Sequence, residues 1–223
     1  MRFATASSLL LGAGFASLSA AKVDFAAAIE QISPGTKSCP DAGGECRTAA
    51  QAAPLILKSF RDYNVTCVQE AACLVSLMLL ESGSFRYKHN VSPGRPGQGT
   101  ANMQMVNFNL DYAKEVIPNL PPKFAQAKEG NALSDADKKE LLALVTPDEH
   151  NFGSAAWFHN VKCDSAAVKT KMRDNAVEGC KAYLSECVGV GSTITPDRQQ
   201  LNDKAFQAFG VSSAAKCVPL WDC

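Results

Sequence analysis

Nine cysteines in 223 residues constrain this chain more than any other feature. They are Cys39, Cys46, Cys67, Cys73, Cys163, Cys180, Cys187, Cys217 and Cys223. Ahead of them lie a basic Arg2, a short apolar stretch around Leu9-Leu10-Leu11, and the small residues Leu18-Ser19-Ala20-Ala21. That order reads as a signal peptide over residues 1–20, cleaved near Ala20 or Ala21. In an oxidising compartment the cysteines become disulfides, here four pairs with one cysteine over. The expected product is secreted and extracellular. Cys180 and Cys187 on one helix lie about 10 Å apart, too far to bond each other. Cys217 and Cys223 enclose a short tail and could pair. No CxxC and no paired His/Cys spacing occurs, so no metal site is expected.

The chain is 46% hydrophobic and 20% charged, enough for one sizeable core. Its 22 Lys and Arg balance 22 Asp and Glu. Losing Arg2 with the leader leaves one net negative charge, so nucleic acid is not an expected partner. No later apolar stretch is long enough to span a membrane. Two sequons, Asn64-Val65-Thr66 and Asn90-Val91-Ser92, can accept glycans in a secreted chain.

The periodicity predicts a mostly α domain. Helices are expected over Val23 to Ile32, from a Thr48 cap to Tyr63, and from a Thr66 cap to Glu81. Further helices are expected over Asn107–Val116, from Ser134 to Val145, from Pro147-Asp148 through Ala155-Ala156-Trp157-Phe158, and over Ala176–Cys187. The last runs from Pro196 at its first turn to Phe209. Between Ser84 and Thr100, Pro93, Gly94, Pro96, Gly97 and Gly99 exclude a helix and predict a loop or irregular hairpin. Those glycines match neither a Walker loop nor a dinucleotide fingerprint, so they read as turn residues.

Leu74, Leu77, Met78 and Glu81 follow the i, i+3, i+4, i+7 spacing of one helical face. A carboxylate is thus aimed at the side expected to be buried, in the last turn of a helix that Gly83 stops. Burial and the helix end both disfavour its ionised form. A carboxylic acid that keeps its proton is what a glycosidase requires as general acid. Arg86 and Lys88 are the cations near enough in sequence to oppose this. Asp111 would be a second carboxylate only at the separation an inverting mechanism needs.

Glu81-Ser82-Gly83-Ser84-Phe85, then Asn90-Val91-Ser92-Pro93, then Gly99-Thr100-Ala101-Asn102-Met103-Gln104-Met105 resembles the core of soluble lytic transglycosylases and goose-type lysozymes. The resemblance covers roughly Val68 to Ala113. Asn102 stands where Leu is usual and Ala101 where Gly is usual. It implies a lysozyme-like single α domain over residues 21–223, disulfide-stapled, with a sugar-binding cleft. It implies an enzyme that cleaves a β-1,4-linked, N-acetylglucosamine-containing wall polysaccharide such as peptidoglycan or chitin, by hydrolysis or transglycosylation. Glu81 would be the acid/base, assisted by the substrate acetamido group, and no cofactor is implied. Ser82, Asn102, Met103 and Gln104 would bind or position substrate. From the loop and the later aromatic segment, Tyr87, His89 and Trp157 are further candidates for substrate contact. The expected state is a monomer. The alternative is a non-catalytic secreted glycan-binding or effector protein on the same scaffold.

Overall fold

The computed structural model describes residues 23–40 and 44–221. The expected signal peptide and Cys223 lie outside them. The described residues form one mostly helical domain with no sheet. Pairing of extended backbone is limited to isolated bridges, Cys67 with Pro219, His89 with Gly99 and Gly99 with Gln104. In chain order the helices are α1 (Phe25–Ile32), α2 (Ala49–Asp62), α3 (Val68–Glu81), α4 (Val106–Val116) and α5 (Pro122–Ala125). They continue with α6 (Asp135–Val145), α7 (Asp148–Trp157), α8 (Ala166–Asp174), α9 (Ala176–Ala182) and α10 (Pro196–Ala208).

Local chemistry sets most of these starts. Thr48 and Gln51 form a reciprocal capping box on α2. Asp24, Ser134, Ser165 and Asn175 each accept a backbone N–H in the first turn of α1, α6, α8 and α9. α7 and α9 do not stop where α-helical bonding ends. Each runs into a π-helical turn, Phe158–Lys162 and Tyr183–Val188 respectively. The single helix expected over Ala176–Cys187 is therefore two conformations in sequence. α8 was not expected at all.

α3 is the axis of the domain. Every residue from Val68 to Leu79 is buried, so this helix is encased all round rather than laid down on one face. It packs against α10, α9, α8 and α7. The expected single apolar stripe is corrected accordingly.

The start of α3 is heavily anchored. Its N-cap is Cys67, not Thr66, and the group that satisfies the free N–H donors is the Glu70 carboxylate. Glu70 Oε2 accepts from the backbone N–H of Thr66 at 3.2 Å and Cys67 at 3.1 Å. Its Oε1 accepts from Arg173 Nε at 2.8 Å and lies 3.5 Å from His159 Nε2. Burial pushes the Glu70 carboxyl up, but the His159 and Arg173 contacts prevail and hold it below the usual range.

Four disulfides join Cys39 to Cys46, Cys67 to Cys217, Cys73 to Cys180 and Cys163 to Cys187. Cys217 thus bonds Cys67, not Cys223. This bond clamps the C-terminal strap over the start of α3, where Val68 N–H donates to Val218 O and Leu220 N–H to Thr66 O, both at 2.8 Å. With its first half bolted in place, α3 presents its last residue, Glu81, at a fixed point. Among the described residues, no helix is long and apolar enough to cross a membrane.

Candidate active site

α3 ends in an unusual turn. Gly83, Ser84 and Phe85 have φ of 59°, 66° and 62° in succession. A left-handed phenylalanine is costly and persists only where its surroundings impose it. Here Ser82 Oγ donates to Met78 O at 2.6 Å and accepts the Phe85 N–H at 2.9 Å. The Phe85 ring is buried edge-on against Phe152 with the ring centroids 5.2 Å apart, inside the range of about 4.5–7 Å that such pairs favour. Ser82 is therefore spent on holding the turn beneath Glu81, facing inward at 1% exposure.

The following loop folds back over the helix end and is pinned at both flanks. Lys88 Nζ donates to Asp148 Oδ1 at 2.5 Å and Thr146 O at 2.9 Å. Arg47 Nε reaches the same carboxylate at 2.7 Å. Burial raises the Asp148 carboxyl, but these two cations outweigh it and hold it below the usual range. Glu45 accepts the Lys88 N–H and faces His89 Nδ1, each at 2.8 Å. Gly99 admits no side chain, since a Cβ there would lie 2.4 Å from Lys88 O and 2.7 Å from Leu142.

The loop returns through a buried polar network. Asn102 Oδ1 accepts from Thr100 Oγ1 at 2.9 Å and from Ser154 Oγ at 2.7 Å. Gln104 Nε2 donates to Asn109 Oδ1 at 2.8 Å, and Asn109 Nδ2 donates onward to Gly97 O at 2.8 Å. Gln98 Nε2 holds Met103 O at 3.0 Å, fixing Met103 at φ 47°.

Glu81 stands between two adjoining cavities of about 330 and 310 Å³. Glu81, Gln98 and Met103 line both. The first is completed by Leu77, Asn102, Gln104, Phe108, Phe158 and the segment Val188–Val190, and the second by Tyr87, His89 and Val91. Among the described residues, Glu81 is the one carboxylate on either cavity. Of the four large apolar side chains left exposed among the described residues, Tyr87, Val91 and Met105 border this groove. The Tyr87 ring also packs over Gly83, in contact range of any Cβ placed there.

Glu81 is not isolated. Arg198 Nη2, from the first turn of α10, donates to Glu81 Oε1 at 2.6 Å. The side chains are 13% and 25% exposed. Glu81 Oε2 accepts no hydrogen bond among the described residues. The cations expected from sequence are elsewhere, with Lys88 committed to Asp148. Glu81 is thus in an ion pair, but its partner is Arg198 and neither of the two cations expected from sequence.

The candidates from sequence fall in different places. Glu81, Asn102, Met103 and Gln104 share one cavity wall, and Tyr87 and His89 share the adjoining one. Ser82 lies beneath the site. Trp157 is in the core at 1% exposure, stacked near Tyr112, with its indole N–H on Glu115 at 2.7 Å, so it presents no face to the groove. Asp111 is paired with Lys162 at 2.6 Å and lines neither cavity. Sequence reasoning missed Arg198, Gln98, Phe108, Phe158 and Val188–Val190. Arg198 carried a signal: a cation in the first turn of a helix opposes the dipole and calls for a carboxylate nearby.

Neither a known protein family nor a solved structure matches this chain. It is similar to a bifunctional dioxygenase (DOX)-epoxy alcohol synthase (EAS) of Fusarium oxysporum (strain Fo5176), at 42% identity over 161 residues. That region is 72% of this chain but 12% of the relative, so the chain spans about one eighth of that enzyme's length.

Proposed function

We propose that the protein is a glycan-cleaving enzyme of the lysozyme and lytic transglycosylase type, acting on a β-1,4-linked, N-acetylglucosamine-containing wall polysaccharide. The observation that carries this reading is Glu81 standing alone as a carboxylate between two cavities, each large enough for sugar units. A glycosidic bond laid across Glu81 has room on both sides. A proton on Oε2, the oxygen that Arg198 leaves free, passes to the glycosidic oxygen as the C1–O bond breaks. Arg198 then stabilises the carboxylate that proton transfer leaves behind, a charge developed in the reaction and met by a preset donor.

With no second carboxylate on either cavity, the substrate's own acetamido oxygen attacks C1 and holds the intermediate. Glu81 next takes a proton from water, giving hydrolysis, or from the sugar 6-hydroxyl, giving an anhydro product. The exposed Tyr87 ring offers a flat apolar surface to a sugar face. The Asn102–Gln104 network holds the backbone of that wall, so substrate contacts there fall to main-chain groups and Met103. Secretion and a monomeric state belong to this proposal, and the four disulfides support the first.

The test is mass spectrometry of products released from peptidoglycan and from chitin by the purified chain. Reducing-end or anhydro oligosaccharides from either support the reading and separate hydrolysis from transglycosylation. Intact polymer in both sinks it.

A second reading is a non-catalytic glycan-binding or effector protein on the same scaffold. The Glu81–Arg198 ion pair favours it, because an engaged carboxylate suits a retired active site. Glycan binding without any product would establish it. The activities named for the Fusarium relative belong to a much longer chain, and no feature of the groove favours them for this one.

A further inference from the structure

We infer that the groove continues beyond Glu81 into a subsite for a carboxylate carried by the glycan, built from Arg95 and Lys139. The inference rests on the glycan reading above for the identity of the polymer that brings the carboxylate.

A third cavity of about 330 Å³ adjoins the first two. It shares Arg95 with one and His89, Asn90 and Val91 with the other. Its ionisable lining is His89, Arg95 and Lys139, with no Asp or Glu. His89 faces Glu45 at 2.8 Å and so has a carboxylate partner. The Arg95 and Lys139 side chains have no ion-pair or hydrogen-bond partner among the described residues. Their neighbours do: Lys138 pairs with Asp135, and Lys123 pairs with Asp137 and Glu140. In a chain whose charges balance overall, two unmatched cations on one cavity are a local feature.

The two cations come from different elements and are brought together by tight packing. Asn90 Oδ1 accepts the Gly94 N–H at 2.8 Å and the Arg95 N–H at 3.3 Å, and Arg95 O accepts from Gln98 N–H at 3.2 Å. Gly97 then lets the loop close on α4 and α6, since a Cβ there would lie 2.6 Å from Val106 and 3.1 Å from the Lys138 Cβ. Lys139 is the next residue on α6. The loop that covers Glu81 is thus the loop that puts Arg95 on the same cavity as Lys139. A guanidinium fork matches a carboxylate in two parallel hydrogen bonds, and a nearby ammonium adds a point charge. A neutral N-acetylglucosamine polymer leaves both without a partner. A lactyl ether on the ring or a uronic acid supplies one.

The test is calorimetric binding to the Glu81→Gln chain, which spares the ligand, of three oligosaccharides of equal length. One is a neutral N-acetylglucosamine oligomer, one contains lactyl-substituted N-acetylmuramic acid, and one contains a uronic acid. At low salt at least one acidic oligomer should bind about tenfold tighter than the neutral one, and which one does identifies the source of the carboxylate. The advantage should fall to about twofold or less at about 0.5 M salt, where exposed charges are screened, and on adding Arg95→Gln with Lys139→Gln. The salt series needs no further variant, so misfolding of the double variant cannot hide the answer. Equal affinity for all three, an advantage that survives both changes, or no binding at all overturns the inference. This pattern of binding without cleavage by the wild-type chain would keep the subsite and remove the glycosidase reading. Cleavage of neutral and acidic polymers with equal kcat/KM would do the reverse.

Discussion

Arg198 Nη2 lies 2.6 Å from Glu81 Oε1, joining two side chains 117 residues apart at the mouth of the groove. The pair links the end of the most buried helix to the first turn of α10. It leaves Arg198 Nη1 buried with no hydrogen-bond partner among the described residues. A stabilising pair alone would favour a fully satisfied guanidinium.

Replacing Arg198 with Ala should therefore cost more in activity than in stability. A preset donor to a developing charge is worth about 10²–10³ in rate, whereas a partly exposed pair contributes about 1 kcal/mol or less. Steady-state kinetics on a soluble oligosaccharide and urea unfolding check the two halves. A large loss of stability with unchanged kcat/KM would make the pair a structural one.

Tyr87→Ala should raise KM about three- to tenfold with little change in kcat, the scale of one lost aromatic contact. The side chain is 44% exposed, so the fold should tolerate its loss. An unchanged KM would remove Tyr87 from the substrate path.

Glu70→Gln should destabilise the domain by about 1.5–3 kcal/mol near pH 7, because the Arg173 side chain and the Thr66 and Cys67 N–H groups lose a charged acceptor. The folded Glu70 carboxyl is depressed. Its contribution is therefore fully present above the unfolded value of about 4.3 and is lost as pH falls through the lower folded value. Urea unfolding of both chains at pH 7 and pH 3 should show the difference shrinking in acid. A gap that widens in acid would contradict the assignment.

Tryptic mapping without reductant should recover Cys67 linked to Cys217. Loss of that bond through Cys217→Ser should cost about 2–5 kcal/mol and free the strap over the start of α3. A Cys217–Cys223 peptide would refute the observed connectivity.

Much of the fold was legible because its signals are local. Thr48 with Gln51, Ser134 with Asp137 and Pro196 at a first turn each mark a helix start within four residues. The loop after Glu81 was legible from its glycines and prolines. The encasement of α3 was not, since a run apolar on every side reads like a stripe when only one face is counted. The N-cap of α3 was misread because Glu70, three residues inside the helix, does the capping. Trp157 could not be placed, because core and groove both suit an indole. Arg198 lay too far along the chain for pairing with Glu81 to be inferred, though its misfit with the α10 dipole was present in the sequence.

The most direct measurement of the central claim is kcat/KM for the wild-type and Glu81→Gln chains on the same N-acetylglucosamine-containing oligosaccharide, with circular dichroism to establish that both are folded. The substitution keeps the shape of the side chain and removes its titrating proton. Glu81 as general acid predicts a folded variant slower by about 10²–10⁴-fold. A folded Gln variant that cleaves at close to the wild-type rate would contradict the account.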